Sequence, residues 1–184
     1  MKSALILIDI QNDYFPGGKM ELVGAENAGK KAGSMLDAAR KNGYLIIHIQ
    51  HLATRPDAPF FLPETKGAMI NDLVKPLPGE DVVQKNFPNS FRETNLQEIL
   101  TKAGVENLVI GGMMTHMCVD ATVRAAADLG YQCMLASDAC ATRDLIWDGQ
   151  TVPAEYVHMS FLAALSGLYV QVFSTEDVIR QIKG

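Results

Sequence analysis

The sequence predicts an α/β domain of three layers, in which helices cover both faces of a mostly parallel, doubly wound, Rossmann-like sheet of six strands. Short runs that are almost uniformly apolar are typical of strands buried on both faces. Longer segments with helical spacing separate these runs, as in folds built on a parallel sheet. Right-handed crossovers then put helices on both sides of the sheet. The predicted strands are residues 4–10, 44–50, 81–85, 107–111, 131–136 and 169–173.

Capping signals mark where the predicted helices begin and end. Gly43, Gly104 and Gly130 each follow a helical pattern, where glycine commonly terminates a helix. Thr94 and Ser174 stand where a side-chain oxygen can cap the start of a helix. The predicted helices are residues 26–42, 95–103, 115–129 and 153–166, with a last one ending at Gln181.

The composition indicates a globular protein and disfavours two classes of partner. A length of 184 residues suits one domain over residues 1–184 with a single core. The net charge of -5 argues against nucleic acid or an anionic membrane as a partner. No apolar run approaches the roughly 20 residues of a membrane helix. Three cysteines without paired spacing fit a reducing compartment, so we expect a cytoplasmic protein.

Three chemically capable side chains follow predicted strands. Asp9 ends the first strand, Lys85 ends the third, and Cys118 lies about one turn into the helix after the fourth. Because ligands bind at the carboxyl ends of strands in such sheets, these side chains can converge on one crevice. Each residue also has a purely structural interpretation, since Asp9 could cap a turn and Lys85 could be a solvated charge.

Two cysteines compete for the role of nucleophile. A thiol near a helix N-terminus, as at Cys118, is stabilised as the thiolate by the helix dipole. Cys140 follows the fifth strand and is the alternative, whereas Cys133 lies within that strand and is expected to be inert. Position alone favours Cys118 but leaves Cys140 open.

Two other types of site are disfavoured by the residues present. A phosphatase of the haloacid dehalogenase type needs a second Asp two positions after Asp9, where this chain has Gln11. His48 and His51 could suggest a metal, but their spacing in a strand-to-loop segment is not a preferred ligand geometry. We therefore expect no metal and no cofactor.

Four segments resemble motifs of the isochorismatase-like superfamily of cysteine hydrolases. They read LIDIQNDYF at 7–15, VQK with NSF and TNL between 83 and 96, VIGGMMTHMCV at 109–119, and SDACAT at 137–142. They occur in the order found in that superfamily and span almost the whole chain. The resemblance implies an Asp–Lys–Cys triad at Asp9, Lys85 and Cys118, which resolves the choice between the two cysteines.

The resemblance also carries expectations about the surroundings of the triad. It implies a cis peptide bond between Met113 and Met114, and an oxyanion hole formed by the backbone N–H groups of Met114 and Cys118. Nicotinamidases of the superfamily carry a metal-binding Asp-x-His pair, but residues 48–53 read HIQHLA, which argues against a metal and against nicotinamide as substrate. Isochorismatases proper lack the cysteine nucleophile, so Cys118 favours acyl chemistry.

The resulting expectation is a hydrolase that cleaves a small, non-peptide, amide-like C–N bond through a cysteine thioester. Asp9 would act as general base, and Lys85 would orient it and lower the thiol pKa. Two alternatives are hydrolysis of an enol ether with Asp9 as acid, and a non-catalytic ligand-binding or redox-sensing domain. Candidate substrate-binding residues are Phe15, His51, Phe60, Phe91 and Trp147.

A homo-oligomer is also expected. Residues 52–78 contain five prolines and predict a long surface excursion, with a short helix near residues 68–73. This segment carries more apolar surface than a solvated loop usually exposes, at Phe60, Phe61, Leu62 and Met69. We expect part of it to form an interface between subunits.

Overall fold

The fold is built on a central sheet of six parallel strands, seen in a computed structural model that describes residues 2–55 and 57–183. The strands lie in the order β3-β2-β1-β4-β5-β8, which confirms the predicted doubly wound sheet. The strands are β1 Lys2–Ile8, β2 Leu45–His51, β3 Asp81–Lys85, β4 Val105–Met113, β5 Gln132–Ala141, β6 Leu145–Trp147, β7 Gln150–Val152 and β8 Gln171–Phe173.

Two apolar clusters, one on each face of the sheet, join it to the helices. Leu5 and Leu7 of β1 pack with α1 and α5, whereas the alternating Ala4, Ile6 and Ile8 pack with α2, α3 and α4. Both faces of β1 are therefore buried, which explains its unbroken apolar sequence. The helices are α1 Ala25–Lys41, α2 Leu96–Ala103, α3 Asp120–Asp128, α4 Ala154–Leu165 and α5 Thr175–Lys183. None of these is long and apolar enough to cross a bilayer.

The segment after β4 differs from the single helix predicted over residues 115–129. Thr115–Val119 forms a π-helical turn, in which Val119 donates its N–H to the carbonyl of Met114, and α3 begins only at Asp120. The fifth strand also runs on to Ala141, five residues beyond its predicted end. The extension follows a shift in register between β4 and β5, where Gly111 lets Ala139 approach closely.

The proline-rich excursion is packed against the body of the protein. A carboxylate oxygen of Asp13 accepts the N–H of Phe61 at 2.7 Å, and the Phe61 side chain is buried. Phe60 is half-buried, whereas Met69, another residue that suggested a subunit interface, is 57% exposed. The short helix expected near residues 68–73 is a 3-10 turn at Asp72–Val74.

A small antiparallel hairpin, formed by β6 and β7, was not predicted. It follows the carboxyl end of β5 and leads directly into α4. A carboxylate oxygen of Asp144 accepts the N–H of Ala154 at 2.7 Å and caps α4. Asp144, although exposed, therefore links the hairpin to the start of α4.

Candidate active site

The candidate site lies where the sheet changes direction between β1 and β4. Successive crossovers leave these two central strands toward opposite edges, which opens a crevice at their carboxyl ends. Ile8 of β1 pairs with Gly112 of β4 at this point. A Cβ atom on Gly112 would lie 2.1 Å from the carbonyl oxygen of Ile8, so only glycine allows the two strands to approach so closely.

Asp9 turns the chain sharply as β1 ends. Its φ of 49° is in the left-handed region, which Asp tolerates better than most residues other than glycine. The turn is held by two backbone hydrogen bonds, from Asp9 N–H to Ile49 (3.1 Å) and from Gln11 N–H to the Asp9 carbonyl (2.9 Å). A backbone in a sparsely populated conformation at a strand end is common at functional sites.

The structure brings the three predicted triad residues together from three distant segments. Lys85 Nζ donates to Asp9 Oδ2 at 2.7 Å and to Cys118 Sγ at 3.4 Å. The side chains are almost completely buried, with relative exposures of 0% for Asp9, 1% for Lys85 and 3% for Cys118. A buried ammonium needs a compensating negative charge, which the Asp9 carboxylate supplies.

Burial and charge shift the pKa values of Lys85 and Cys118 upward. Burial alone would lower the pKa of Lys85, but the charges of Asp9 and Cys118 outweigh it and raise this pKa. Burial, together with the negative charge of Asp9, raises the pKa of the Cys118 thiol despite the opposing charge of Lys85. The thiol is thus protonated at neutral pH, which differs from the thiolate expected from the helix dipole. Asp9 Oδ1, buried and without a hydrogen-bond partner among the described residues, is available as an acceptor.

His51 forms a fourth member of this cluster. Its Nδ1 lies 3.0 Å from Lys85 Nζ, across the parallel register that pairs β2 with β3. Because an ammonium only donates, Nδ1 must be an acceptor and the ring proton is assigned to Nε2. Burial, followed by the charge of Lys85, lowers the pKa of His51 to about 4. His51 is therefore a neutral imidazole at physiological pH.

Three of these side chains could in principle hold a metal ion. Asp9, His51 and Cys118 offer ligand atoms that all lie within 4.8 Å of one another. Lys85 Nζ, however, is within hydrogen-bonding distance of all three, so a cation there would have to displace the ammonium. His48 has a separate environment, because its Nε2 lies 3.0 Å from Glu80 Oε2.

A match to a family model shows which family the chain belongs to. The model of the Isochorismatase domain matches residues 3–177. The chain belongs to the isochorismatase family. It is 47% identical to the isochorismatase family protein YddQ of Bacillus subtilis, over 98% of this chain and 100% of that protein.

Two further comparisons place the chain among hydrolases. A crystal structure described as an isochorismatase hydrolase from Oleispira antarctica has a TM-score of 0.94 and 48% identity, covering 97% of this chain and 96% of that chain. Ureidoacrylate amidohydrolase RutB of Rhizobium rhizogenes is 30% identical over 75% of this chain and 70% of that protein. The chain is accordingly an isochorismatase-family hydrolase.

The cis peptide bond that the family resemblance implied is present between Met113 and Met114. Met114 precedes the π-helical turn that carries Cys118. Its N–H group donates to no backbone or side-chain acceptor within the part of the chain that the structure describes.

The five predicted substrate-binding residues lie in different parts of this isochorismatase-family fold. His51 and Phe60 line one cavity of about 290 Å³, together with Arg55 and Asn86. Phe15 packs on Gly29 of α1, Phe91 stacks on Tyr131 with ring centroids 6.1 Å apart, and Trp147 is exposed on the hairpin. Of these five described residues, His51 alone forms a hydrogen bond with one of Asp9, Lys85 and Cys118, namely Lys85.

Gln11 and Tyr14 support the site but were not predicted to do so. Gln11 accepts the N–H of His51 at 2.8 Å and donates to the carbonyl of His51 at 2.9 Å, which fixes that residue's backbone. Tyr14 packs against Phe61 with the two rings tilted and their centroids 4.6 Å apart. Its pKa is raised well above its ordinary value by burial and then by the charges of Cys118 and Asp9. Both residues lie in the LIDIQNDYF segment at 7–15, which carried part of the family resemblance but assigned no role to either of them.

Arg143 is a further positive charge close to the site. Its charge opposes the raised pKa of Tyr14 and contributes to the lowered pKa of His116, after burial. Its Nε atom is buried and has no hydrogen-bond partner among the described residues. A guanidinium with an unsatisfied buried donor is suited to an anionic group that enters from outside.

Proposed function

We propose that this hydrolase cleaves the C–N bond of a small amide-like substrate through a thioester on Cys118. The observation that carries the proposal is the buried cluster in which Lys85 Nζ bridges the Asp9 carboxylate and the Cys118 thiol. The similarity to an enzyme named as an amidohydrolase supports C–N cleavage as the reaction type.

Asp9 is the proposed general base. The raised pKa of Cys118 keeps the thiol protonated in the resting protein, so attack on a carbonyl needs a group that accepts its proton. A carboxylate oxygen of Asp9 lies within 4.8 Å of the Cys118 sulfur, and Asp9 Oδ1 is buried with no competing partner among the described residues. The proton taken from Sγ then passes to the leaving amine as the C–N bond breaks. Asp9 next removes a proton from the water that hydrolyses the thioester.

Lys85 is proposed to organise charge and to take no part in proton transfer. Its raised pKa means that it remains an ammonium throughout the working pH range. It holds one carboxylate oxygen of Asp9 and lies 3.4 Å from Sγ, where it offsets the negative charge that develops on sulfur.

The backbone N–H groups of Met114 and Cys118 are the proposed oxyanion hole. The absence of an acceptor for Met114 N–H among the described residues supports this assignment, because a buried donor normally has a partner. Each such donor is typically worth about 3–4 kcal/mol of transition-state stabilisation.

The substrate is proposed to combine a small amide with an anionic group. The cavity next to His51 is walled on one side by Phe60, which suits a compact, partly apolar body. The unsatisfied donor of Arg143 suits a carboxylate or another anion.

Trapping the acyl enzyme tests the reaction type. Mass spectrometry on the protein quenched during turnover of a panel of small carboxamides and ureido acids should show an adduct on Cys118. The Cys118→Ser variant should accumulate no thioester, and Cys118→Ala should lose hydrolysis. Hydrolysis of an enol ether that survives Cys118→Ala would instead favour acid catalysis by Asp9. Cysteine oxidation without turnover of any amide would favour a redox-sensing domain.

A further inference from the structure

The imidazole of His51 links the triad to the neighbouring cavity. Its Nδ1 atom lies 3.0 Å from Lys85 Nζ, and the residue also lines the cavity of about 290 Å³ that Phe60 borders. His51 is half-buried, so one side of its ring faces the interior and another side faces that cavity. Because the ammonium of Lys85 takes up Nδ1, Nε2 is the ring nitrogen that remains for a molecule bound in the cavity.

Lys85 determines which ring nitrogen of His51 carries the proton. An ammonium group has three N–H donors and no acceptor. Its three donors meet Asp9 Oδ2 at 2.7 Å, His51 Nδ1 at 3.0 Å and Cys118 Sγ at 3.4 Å. Nδ1 must therefore present its lone pair, and the proton of the neutral ring is on Nε2. The cavity thus receives an N–H donor from His51 and no acceptor.

This donor is held in place before any ligand binds. Gln11 accepts the N–H of His51 at 2.8 Å and donates to its carbonyl at 2.9 Å, which fixes the backbone on both sides. The N–H of the next residue, Leu52, donates to the Lys85 carbonyl at 2.9 Å. The imidazole lies against the buried ring of Phe61, with the centroids 6.0 Å apart. A donor that is already restrained loses little conformational freedom on binding.

Asn86 adds an acceptor to the lining of the same cavity. Its side-chain nitrogen donates to the Leu52 carbonyl at 2.8 Å, which fixes the orientation of the amide. Its Oδ1 atom is then left to accept a hydrogen bond. A neutral donor and a neutral acceptor that line one cavity complement a planar group containing both C=O and N–H. An amide or a ureido group has this pattern.

We propose that His51 determines specificity by donating Nε2–H to a carbonyl oxygen of the substrate, while Asn86 accepts an N–H of the same group. The inference rests on the proposed hydrolysis and narrows its substrate class: besides the bond that is cut, the substrate carries a second amide or ureido group. Lys85 then has two effects, because it holds Asp9 and also keeps His51 in the donor form.

Two substitutions separate the roles of the two ring nitrogens. Asn places its polar atoms close to the position of Nδ1, whereas Gln reaches the position of Nε2. His51→Asn should therefore keep a partner for Lys85 and lose the donor to the cavity, and His51→Gln should keep that donor. Each is combined with Cys118→Ala, in which an amide can bind without being cut, so the measurement does not depend on turnover.

The probes are N-acetylglycinamide and isocaproamide, which have similar shapes but differ in that only the first has a secondary amide beyond its carboxamide. In calorimetric titrations, Cys118→Ala protein should bind N-acetylglycinamide about tenfold more tightly, the scale of one or two neutral hydrogen bonds. Adding His51→Asn should abolish the preference, and adding His51→Gln should retain most of it. Gln84→Met is the matched control, because Gln84 precedes Lys85 on β3 but its side chain donates to Gln50 on the other face of the sheet.

The ¹⁵N spectrum of the histidine rings checks the donor in protein that carries no substitution at His51. His51 should be in the Nε2–H form, and N-acetylglycinamide should shift its Nε2 resonance more than its Nδ1 resonance. A ring protonated on Nδ1, binding of neither probe, or equal binding of both would overturn the inference. A preference that survives His51→Asn but not His51→Gln would also overturn it and would leave His51 as a positioning residue for Lys85. If the preference depends on His51 as expected but the unmodified protein hydrolyses no amide, the proposed reaction fails and the binding role of His51 stands.

Discussion

Asp9→Asn should separate the reactivity of the Cys118 thiol from turnover. Asn is nearly isosteric with Asp and can still accept a hydrogen bond from Lys85, but it cannot take a proton. Turnover should fall by at least roughly 10²–10⁴-fold, the scale of a missing general base. The thiol, in contrast, should alkylate faster than in the unmodified protein. The buried ammonium of Lys85 loses its carboxylate partner in this variant, and the thiolate of Cys118 becomes its nearest source of negative charge.

The size of the effect follows from the distances in the cluster. The reactive atoms of Asp9 and Cys118 lie within 4.8 Å of each other. At that separation, two negative charges repel by roughly 3.5 kcal/mol at an effective dielectric constant of about 20. Removing this repulsion raises the thiolate population by more than about a hundredfold. A less basic thiolate is a weaker nucleophile, with a Brønsted coefficient of about 0.4–0.5, so the alkylation rate should rise by about twentyfold.

The assay is the rate of iodoacetamide alkylation as a function of pH, alongside amide hydrolysis by the same preparation. The double variant Asp9→Asn, Cys118→Ala measures background labelling of Cys133 and Cys140, whose pKa values burial raises to about 12. Lys85→Met should lower both alkylation and turnover, because it removes the charge that favours the thiolate. If folded Asp9→Asn alkylates no faster than the unmodified protein, or turns over within tenfold of it, the assigned roles are wrong.

Three other perturbations have defined outcomes. Chelation should leave hydrolysis unchanged, because Lys85 Nζ occupies the position between the three potential metal ligands; loss of activity that added zinc restores would contradict this. The lowered pKa of His51 means that the unfolded chain binds a proton between about pH 6.5 and pH 4 that the folded protein does not bind. Its contribution should therefore reduce the free energy of unfolding by up to roughly 3 kcal/mol as pH falls through that window, and denaturant titrations of His51→Gln should show a smaller decrease. Gly112→Ala should unfold at markedly lower temperature or fail to fold, because its Cβ would lie 2.1 Å from the Ile8 carbonyl oxygen; a melting temperature within a degree or two of that of the unmodified protein would contradict this.

The central strands and the helices were predictable because their sequences carry strong periodic signals. β1 is apolar at nearly every position since both of its faces are covered, and β3 was predicted with its observed bounds. The end of β5 was missed for a physical reason. Residues 137–140 read SDAC, which looks like a loop, yet a register shift beside Gly111 lets the backbone continue to pair. The hairpin was missed because six of its eight residues are exposed and therefore carry no pattern of buried apolar positions.

The convergence of Asp9, Lys85 and Cys118 was predictable from their places at and after strand ends, but their electrostatics were not. Sequence position put Cys118 near a helix start, where the dipole favours a thiolate. The structure adds burial and the facing carboxylate of Asp9, which together outweigh Lys85 and raise the thiol pKa. His51 was expected to contact substrate. Its hydrogen bond to Lys85 was not predicted, because it depends on the β2–β3 register, which no local pattern encodes.

The Cys118 thiol is buried and its raised pKa keeps it protonated in the resting protein. Thiolate character and exposure make cysteines prone to oxidation, and Cys118 has little of either in the resting protein. The same burial strengthens every interaction of the charge that forms when Asp9 takes the proton, because water is excluded around Lys85. The thiolate would therefore exist mainly while a carbonyl is bound to consume it. A redox sensor requires the opposite arrangement, an exposed thiol that is ionised at rest, so the geometry favours hydrolysis over sensing.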